Sequence, residues 1–360
     1  MPDPKPLKKG RILSGMRPTG KLHLGNYVGA LRNWVNLQED YDCFYFIADW
    51  HALTTDYANT GEIKQNSLEV MIDYLAAGLD PEQSTLFIQS HVPQHAELQL
   101  LFSMITPLGW LERVPSYKEQ RENIKDKDLS TYGFLGYPLL QSADILMYRA
   151  NFVPVGEDQV PHVELTREVA RRFNQFYPRK VVSSSPDPQR EVVFPEPRPL
   201  LTPAAKLPGT DGRKMSKSYG NTILLSEPGE SLRAKLKTMV TDPARVRRSD
   251  PGNPDACPVG DLHKIFSSPE TMAKVYEGCR TAGIGCIECK KWAADSLWKM
   301  LEPIQERRAK YDANPRLAWD ILEAGSAKAK VAAESTMEEV RAAAHLAFEY
   351  EPPKPNGENS

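Results

Sequence analysis

The alternation of apolar runs and amphipathic stretches over residues 11–90 constrains the fold more than any other feature of this sequence. Three short apolar runs have the composition of buried strands: RILSG (11–15), CFYFIAD (43–49) and STLFIQS (84–90). Residues at helical spacing lie between them, such as Val28, Leu31 and Val35, and Gly78 marks the end of the second helical stretch. Strand, helix, strand, helix and strand in this order predict a parallel sheet with right-handed crossovers.

Beyond these residues the sequence predicts a second, helical region. Residues 91–136 are rich in charge and poor in periodicity, so we predict an insertion there. The proline-rich stretch 186–208 predicts a long connector, and no strand is predicted after residue 222. The predicted organisation is an N-terminal extension (1–10), an α/β domain with a parallel sheet (11–222), an all-helical domain (223–349) and a disordered tail (350–360).

Charge and hydropathy exclude several classes of protein. No apolar run approaches the about 18–20 residues of a membrane span, and the segment MPDPKPLKKG lacks the apolar core of a signal peptide. We therefore expect a cytoplasmic protein without membrane association. The net charge of −2 argues against a chain that coats nucleic acid over its whole surface. Residues 231–291 nevertheless hold eleven Lys and Arg against seven Asp and Glu, which favours either a local polyanion contact or an ordinary solvated helical surface.

Two loops carry groups that suit a phosphate ligand. The first loop (residues 14–26, SGMRPTGKLHLGN) has three glycines between a predicted strand and a helix N-terminus, where unpaired N–H groups face a ligand. The KMSKS loop (residues 209–221, GTDGRKMSKSYGN) has Lys214 and Lys217, which can neutralise charge that develops on a polyphosphate. Neither loop matches a dinucleotide fingerprint or a P-loop. Each loop alone is also typical of a structural turn or a solvated surface.

Together, HLGN (23–26) and KMSKS (214–218) resemble the paired signatures of class I aminoacyl-tRNA synthetases. The segments IADWHALTT, YPLLQSADILMY and VPVGEDQVPHVELTREVARRFN extend the similarity, in register and in order, to bacterial tryptophanyl-tRNA synthetases over residues 11–349. The resemblance implies an α/β fold, with a Rossmann-like catalytic domain followed by a helical anticodon-binding domain. It also implies activation of L-tryptophan by ATP with Mg²⁺, transfer to tRNA(Trp), a homodimer and no binding of DNA.

Through this resemblance, the two signatures supply the residues expected to act on ATP. The expected catalytic residues are His23, Asn26, Lys214 and Lys217, with the two lysines meeting the pyrophosphate near the transition state. The remaining expected ATP contacts are Arg17, Pro18, Thr19, Gly25, Gly156, Glu157, Asp158, Ala205, Met215, Ser216 and Ser218.

Three positions depart from the pattern of the family. Asn26 stands where the first signature has its final His, as is common in the tryptophan enzymes, and Arg17 stands where many relatives have Gln. Gln120 stands where some relatives have a lysine, so Lys118 or Arg121 must replace that lysine if any residue does.

The resemblance assigns tryptophan recognition to the predicted helix at 137–148. Gln141, Asp144 and Tyr148 form a polar stripe among apolar neighbours, a pattern that on its own is more often a buried structural network than a ligand site. In the family, the carboxylate at Asp144 accepts the indole N–H, a contact that tyrosine and phenylalanine do not reproduce. The other expected tryptophan contacts are Leu13, Gly15, His51, Tyr137, Gln141, Val153, Val155 and Gln159.

Four of the five cysteines lie within 33 residues, with the spacing C-x21-C-x6-C-x2-C: Cys257, Cys279, Cys286 and Cys289. Without an export signal a disulfide framework is not expected, and the spacing alone leaves an iron–sulfur cluster, zinc or unligated thiols open. A subset of tryptophanyl-tRNA synthetases carries a 4Fe–4S cluster with nearly this spacing in the anticodon-binding domain, so the resemblance favours the cluster over zinc. The expected tRNA contacts are the nearby basic residues Arg245, Arg247, Arg248, Lys290 and Lys291.

Three other functions compete with this interpretation. A tyrosyl-tRNA synthetase shares the fold and the Q-x-x-D pattern, although GEDQVPHVELTR and KMSKS resemble the tryptophan group more closely. An iron–sulfur redox or sensor protein would have no use for the KMSKS loop. A non-catalytic RNA-binding paralogue would not need both signatures and Asp144 intact.

Overall fold

A parallel sheet forms the centre of the protein, as the sequence predicts. It has five strands, and the fifth lies in the stretch predicted to be a connector. The computed structural model describes residues 8–123, 127–178, 192–202 and 207–347. In spatial order the strands are β3 (Ser84–Ile88), β2 (Asp42–Ile47), β1 (Arg11–Met16), β4 (Phe152–Val155) and β5 (Arg198–Leu201). The chain order reverses between β1 and β4. In parallel sheets such a reversal opens a crevice beyond the carboxyl ends of the strands, where ligands bind.

Helices cover both faces of the sheet. Successive residues of a strand point to opposite faces, so Ile12 and Tyr45 join one hydrophobic core while Leu13 and Phe44 join the other. Burial on both faces explains why the strands read as continuous apolar runs rather than as alternating patterns. Both expected crossover helices are present, and Gly78 ends the second of them with the left-handed backbone (φ 113°) that a glycine adopts readily.

The helices of the first half of the chain are α1 (Leu24–Asn26), a π-helical turn (Tyr27–Leu31), α2 (Arg32–Leu37), α3 (Asp49–Asp56), α4 (Ile63–Ala77), α5 (Gln94–Ile105), α6 (Leu108–Glu112), α7 (Pro115–Asn123), α8 (Tyr132–Met147) and α9 (Val160–Phe176). Those that follow the KMSKS loop are α10 (Gly229–Thr238), α11 (Pro258–Phe266), α12 (Pro269–Arg280), α13 (Cys286–Ala313) and α14 (Pro315–Ala343). None of the helices in the described ranges is long and apolar enough to span a membrane.

Two stretches differ from the sequence-based expectation. The predicted insertion at 91–136 includes α5, α6 and α7. Their helical pattern is weak because α5 exposes apolar residues such as Leu100 and Met104, whereas α7 is mostly charged or polar. The proline-rich connector at 186–208 contains β5, which includes Pro199. An edge strand tolerates a proline because one side of its backbone has no partner in the sheet.

The last helix returns to the sheet instead of remaining within the helical region. The backbone N–H of Ile88 donates to Oγ of Ser326 over 3.2 Å. A Cβ at Gly325 would lie only 1.8 Å from the carbonyl oxygen of Leu86, so a glycine is needed where α14 crosses β3. Helix α14 thereby covers an edge strand that would otherwise be open to pairing. The domain boundary at residue 222 stays a prediction, and the contact between α14 and β3 joins the two sides of that boundary.

Candidate active site

A cavity of about 370 Å³ opens at the carboxyl ends of β1 and β4, where the strand order reverses. Its volume lies within the range of small-molecule sites, about 300–1,000 Å³. We call it the substrate cavity. All the residues predicted to contact tryptophan line it: Leu13, Gly15, His51, Tyr137, Gln141, Asp144, Val153, Val155 and Gln159. The sheet contributes much of the apolar part of the wall, and α8 contributes Tyr137, Gln141 and Asp144 to the polar part.

Asp144 is buried in the wall of the substrate cavity, where three side chains donate to its carboxylate. Nε2 of His51 lies 2.8 Å from Oδ2, while Nδ1 of His95 and Nε2 of Gln89 lie 2.6 and 2.8 Å from Oδ1. Burial alone would raise the pKa of this carboxyl group, but the hydrogen bonds from His51 and His95 outweigh burial and lower the pKa to about 2. Asp144 is therefore ionised and held in one orientation at neutral pH.

Sequence reasoning missed His95 and Gln89. Nε2 of the His95 ring also lies 2.8 Å from the hydroxyl of Tyr148, so the third residue of the predicted polar stripe supports Asp144 from behind. His95 belongs to α5, inside the stretch that was predicted to be an insertion. No periodicity links these residues to Asp144, because they lie 49 and 55 positions from it in the chain.

A second polar group lies across the substrate cavity. Oγ of Ser116 is 2.7 Å from the hydroxyl of Tyr137 and 2.6 Å from Nε2 of His162. Burial lowers the pKa of His162 to about 4, and the charge of nearby His51 acts in the same direction. His162 is therefore neutral at pH 7. Ser116 and His162 both line the substrate cavity, although no motif of the sequence indicates a role for either.

The first loop turns into α1 around His23. Nδ1 of His23 accepts from the backbone N–H of Gly25 over 3.0 Å, and the N–H of His23 donates to Oδ1 of Asn26 over 3.1 Å. These reciprocal bonds form a capping box at the start of the helix. Burial and the neighbouring Lys217 lower the pKa of His23 to about 4. A neutral ring that accepts at Nδ1 carries its proton at Nε2, which leaves Nε2–H as a donor.

Gly25 is required by this arrangement. A Cβ at this position would lie 2.8 Å from Cε1 and 2.9 Å from Nδ1 of His23, closer than side chains pack. The sequence HLG therefore allows the imidazole to fold back onto the helix N-terminus.

The KMSKS loop contacts the first loop through Lys217. Its Nζ donates to the carbonyl oxygens of Thr19 and Gly20, each over 2.9 Å. Burial lowers the pKa of Lys217 to about 8, whereas Lys214 is exposed. The two signatures are therefore adjacent in space although about 190 residues separate them in sequence.

Asn221 fixes the conformation of the KMSKS loop. Its Oδ1 accepts from the N–H of Ser216 over 2.8 Å, and its Nδ2 donates to Asp211 over 2.7 Å and to the carbonyl of Lys214 over 3.2 Å. Met215 anchors the centre of the loop because its side chain is buried in the core. Only the lysines and serines of the motif are left near the surface.

Arg17 lines the substrate cavity and pairs with Asp56, with 3.1 Å between Nη2 and Oδ2. Lys127 also pairs with Asp56. Gln120 lines the substrate cavity as well, whereas the guanidinium of Arg121 lies over the ring of Tyr117. That Lys118 or Arg121 replaces the lysine of the family stays a prediction. The lysine that shares the partner Asp56 with Arg17 is Lys127.

The remaining predicted ATP contacts surround the two loops. Gly156 lines the substrate cavity, and Glu157 and Asp158 follow it in a 3-10 turn. Pro18 belongs to the first loop, and Ser218 lies on the KMSKS loop with its Oγ 2.9 Å from that of Ser216. Ala205 lies outside the described residues.

The four clustered cysteines line one small cavity of about 20 Å³. All four carry free thiols. Burial, together with the three neighbouring thiols, raises the pKa of Cys289 to about 12. Within the described ranges, no group of three or more His, Cys, Asp or Glu side chains has the geometry to hold a metal ion. The predicted cluster is thus not confirmed.

The basic residues near these cysteines are not equally available. Arg245 lines the cysteine cavity and donates to the carbonyls of Arg248 and Ile284 over 2.9 and 2.7 Å. Arg247, Arg248 and Lys291 are exposed. Lys290 is buried and its Nζ donates to the carbonyl of Lys237 over 3.1 Å. Arg245 and Lys290 are therefore weaker candidates for a tRNA contact than the three exposed residues.

Comparison with known proteins identifies the class to which this site belongs. Residues 5–302 match the family described as tRNA synthetases class I (W and Y). The chain belongs to this family.

The more specific relatives are tryptophan enzymes. A tryptophan–tRNA ligase of Thermotoga maritima is 54% identical, covering 94% of this chain and all of the relative. One of Ralstonia nicotianae is 50% identical, covering 94% of this chain and 99% of the relative. The structure of a tryptophanyl-tRNA synthetase from Campylobacter jejuni complexed with ADP and tryptophan has a TM-score of 0.81 at 31% identity, covering 93% of this chain and all of that chain.

Proposed function

We infer that this protein is a tryptophan–tRNA ligase. In the first step the carboxylate of L-tryptophan attacks the α-phosphorus of ATP, forming tryptophanyl-adenylate as pyrophosphate leaves. In the second step a hydroxyl of the terminal ribose of tRNA(Trp) attacks the carbonyl carbon of the adenylate, and AMP leaves. The observation that carries this function is the ionised, buried Asp144 in the wall of a cavity that residues 14–17 of the first loop also line.

Asp144 is proposed to select the indole ring. Among the hydrogen bonds of the described residues, Oδ1 accepts two and Oδ2 accepts only the one from His51. A carboxylate oxygen has two lone pairs, so Oδ2 can accept the indole N–H as well. Phenylalanine would leave that acceptor unpaired, and the hydroxyl of tyrosine would lie elsewhere in the cavity, which is how a buried polar group rejects an analogue.

The protein is proposed to supply no nucleophile and no general base of its own, since the carboxylate of the substrate is the nucleophile. Its part is to align that carboxylate with the phosphate and to stabilise the departing pyrophosphate. Nε2–H of His23 is the donor proposed to contact the phosphates. Lys217, and Lys214 after closure of the KMSKS loop, would neutralise the pyrophosphate, and Mg²⁺ would be held mainly by the phosphates of ATP and by water.

The same proposal includes the remaining predicted ATP contacts in their predicted roles. Arg17, Pro18 and Thr19 of the first loop would lie near the phosphates. The segment Gly156–Asp158 and the backbone of Ala205 would contact the ribose and the adenine. Met215, Ser216 and Ser218 would move with the lysines of the KMSKS loop.

The helical region is proposed to bind the anticodon of tRNA(Trp). Arg247, Arg248 and Lys291 are exposed beside the cysteine cavity, where they suit phosphate contacts. Cys257, Cys279, Cys286 and Cys289 are proposed to hold a 4Fe–4S cluster, with zinc as the alternative, and convergence of all four thiols on one cavity supports a bound metal. The cluster would supply a structural link among these loops. We also propose a cytoplasmic homodimer.

ATP–pyrophosphate exchange tests the activation step. Exchange should depend on L-tryptophan and should be absent with L-tyrosine at the same concentration. Exchange that favours tyrosine would identify a tyrosine enzyme, and absence of exchange with either amino acid would favour a non-catalytic RNA-binding protein. Aminoacylation of tRNA(Trp) with labelled tryptophan then tests the second step.

A further inference from the structure

Helix α13 extends from the cysteine cavity to the ATP site. It begins at Cys286 and ends at Ala313, and its 28 residues span about 40 Å. Gln305 and Arg308 lie near its C-terminal end. Residues three apart in a helix share a face, so these two side chains are directed toward the same part of the catalytic domain.

Arg308 acts on the first loop through Asp73. Both side chains are buried, and the guanidinium of Arg308 donates to Oδ1 of Asp73 and to Glu69, both on α4. The other oxygen of Asp73 accepts from the backbone N–H of Leu22 over 2.6 Å. Leu22 immediately precedes His23. The ion pair therefore fixes the carboxylate that holds the backbone of the first signature.

Gln305 holds the segment that follows the KMSKS loop. Its Nε2 donates to the carbonyl oxygen of Glu227 over 2.6 Å and to that of Leu225 over 3.3 Å. This segment in turn pairs with the first loop, since the N–H of Leu225 donates to Leu22 and the N–H of Leu24 donates to Ile223, each over 2.9 Å. One face of α13 thus holds both sides of the junction between the two signatures.

The charge of Asp73 also affects the KMSKS loop. Burial lowers the pKa of Lys217 to about 8, and the negative charge of Asp73 opposes that effect and favours the charged ammonium group. A buried ion pair gains little stability over apolar residues of similar volume. Its value here lies in the fixed geometry that it gives to Leu22 and to the ATP site.

We propose that Arg308 and Gln305 are positioning residues for ATP, which set the spacing between His23 and Lys217 from outside the catalytic domain. This inference rests on the proposed function. Neither side chain would contact ATP. Their loss should misplace the two signatures relative to each other. The binding of tryptophan should be unchanged, because most apolar residues of the substrate cavity belong to the other core of the sheet.

The experiment compares Arg308→Met, Arg308→Lys and Gln305→Ala with the parent protein. Arg316→Met is the control, because the ion pairs of Arg316 within the described residues are exposed and lie on α14. The measurements are KM for ATP and kcat in tryptophan-dependent pyrophosphate exchange, Kd for tryptophan without ATP, and the melting temperature. A misplaced ATP site can lose about 100-fold in rate. We expect Arg308→Met to lower kcat/KM for ATP by about 10- to 100-fold, with tryptophan Kd within about twofold of the parent value.

The other variants keep the test decisive if Arg308→Met does not fold. Arg308→Lys should recover part of the loss because it retains the charge, and Gln305→Ala should raise KM for ATP while the control stays at the parent value. Folded Arg308→Lys and Gln305→Ala proteins with parental kinetics for ATP would overturn the proposal. Equal losses of tryptophan and ATP affinity would also overturn it, because they would indicate general damage. A parent protein without exchange would instead refute the proposed function.

Discussion

The substrate cavity and the KMSKS loop both depend on polar side chains, but they hold those side chains in opposite ways. Asp144 is almost fully buried and accepts from His51, His95 and Gln89. Lys217 is only partly buried and donates to two backbone carbonyls of the first loop. In the cavity the group that recognises the substrate is fixed before binding. In the KMSKS loop the ammonium group of Lys217 donates to backbone carbonyls, and a phosphate can take the place of these acceptors.

This difference predicts a division of labour. A fixed, buried acceptor contributes to ground-state binding and to specificity, because an analogue without the donor leaves it unpaired. A cation that meets its target only after a loop moves contributes mainly to the rate. Substitutions in the two regions should therefore affect different kinetic parameters.

The largest effect is expected from Lys217→Ala. Loss of a donor that acts on charge developing in the transition state should lower kcat for pyrophosphate exchange by about 10²–10³. Tyr219→Phe is the control on the same loop, because Tyr219 is exposed and has no proposed contact with ATP, and it should have a much smaller effect. The measurement is exchange at saturating tryptophan and ATP, and a loss of less than tenfold would remove Lys217 from the proposed role.

Asp144→Asn is expected to have the next largest effect. The amide of asparagine has nearly the same shape as the carboxylate, which accepts hydrogen bonds from His51 and His95, but it carries no negative charge. A hydrogen bond to a charged group contributes about 1.5–3 kcal/mol. The ratio of kcat/KM for tryptophan to that for tyrosine should fall by about 10- to 100-fold. An unchanged ratio would show that another group selects the indole ring.

The pH dependence of ATP use should follow Lys217. Burial lowers its pKa to about 8, so the ammonium group is charged below that pH and neutral above it. Because kcat/KM reports ionisations of the free enzyme, kcat/KM for ATP should be level below pH 8 and should fall about tenfold per pH unit above it. Lys217→Arg should remove this decline. A parent profile without a decline between pH 8 and 9.5 would contradict the assignment.

The smallest effect on activation is expected from Cys286→Ser. We expect anaerobically purified protein to contain about four irons per chain, and the variant to lose them, with reduced charging of tRNA and unchanged pyrophosphate exchange. Cys43→Ser, at a buried thiol of β2, is the control and should retain the metal. Stoichiometric zinc without iron would show that the cysteines hold zinc instead of a 4Fe–4S cluster. Normal charging of tRNA by a metal-free variant would show that tRNA binding does not need the metal.

The sequence was sufficient for the parallel sheet apart from β5, and the resemblance to the family located nine residues in the wall of the substrate cavity. Apolar runs predict strands whose two faces are both buried, and the motifs that resemble the family lie at the ends of those strands. The residues that support Asp144 and Leu22 could not be predicted, because His95, Gln89 and Arg308 join their partners only through the tertiary fold. Arg308 lies 235 positions from Asp73, and no local pattern predicts a pair at that separation.

The division between the two regions is tested most directly by isothermal titration of tryptophan, without ATP, into Lys217→Ala and Asp144→Asn. We predict that the lysine variant binds tryptophan within about twofold of the parent Kd and that the aspartate variant binds about tenfold or more weakly. Equal weakening in both variants, or an unchanged Kd in Asp144→Asn, would contradict the claim that the cavity binds the amino acid while the loop promotes the reaction.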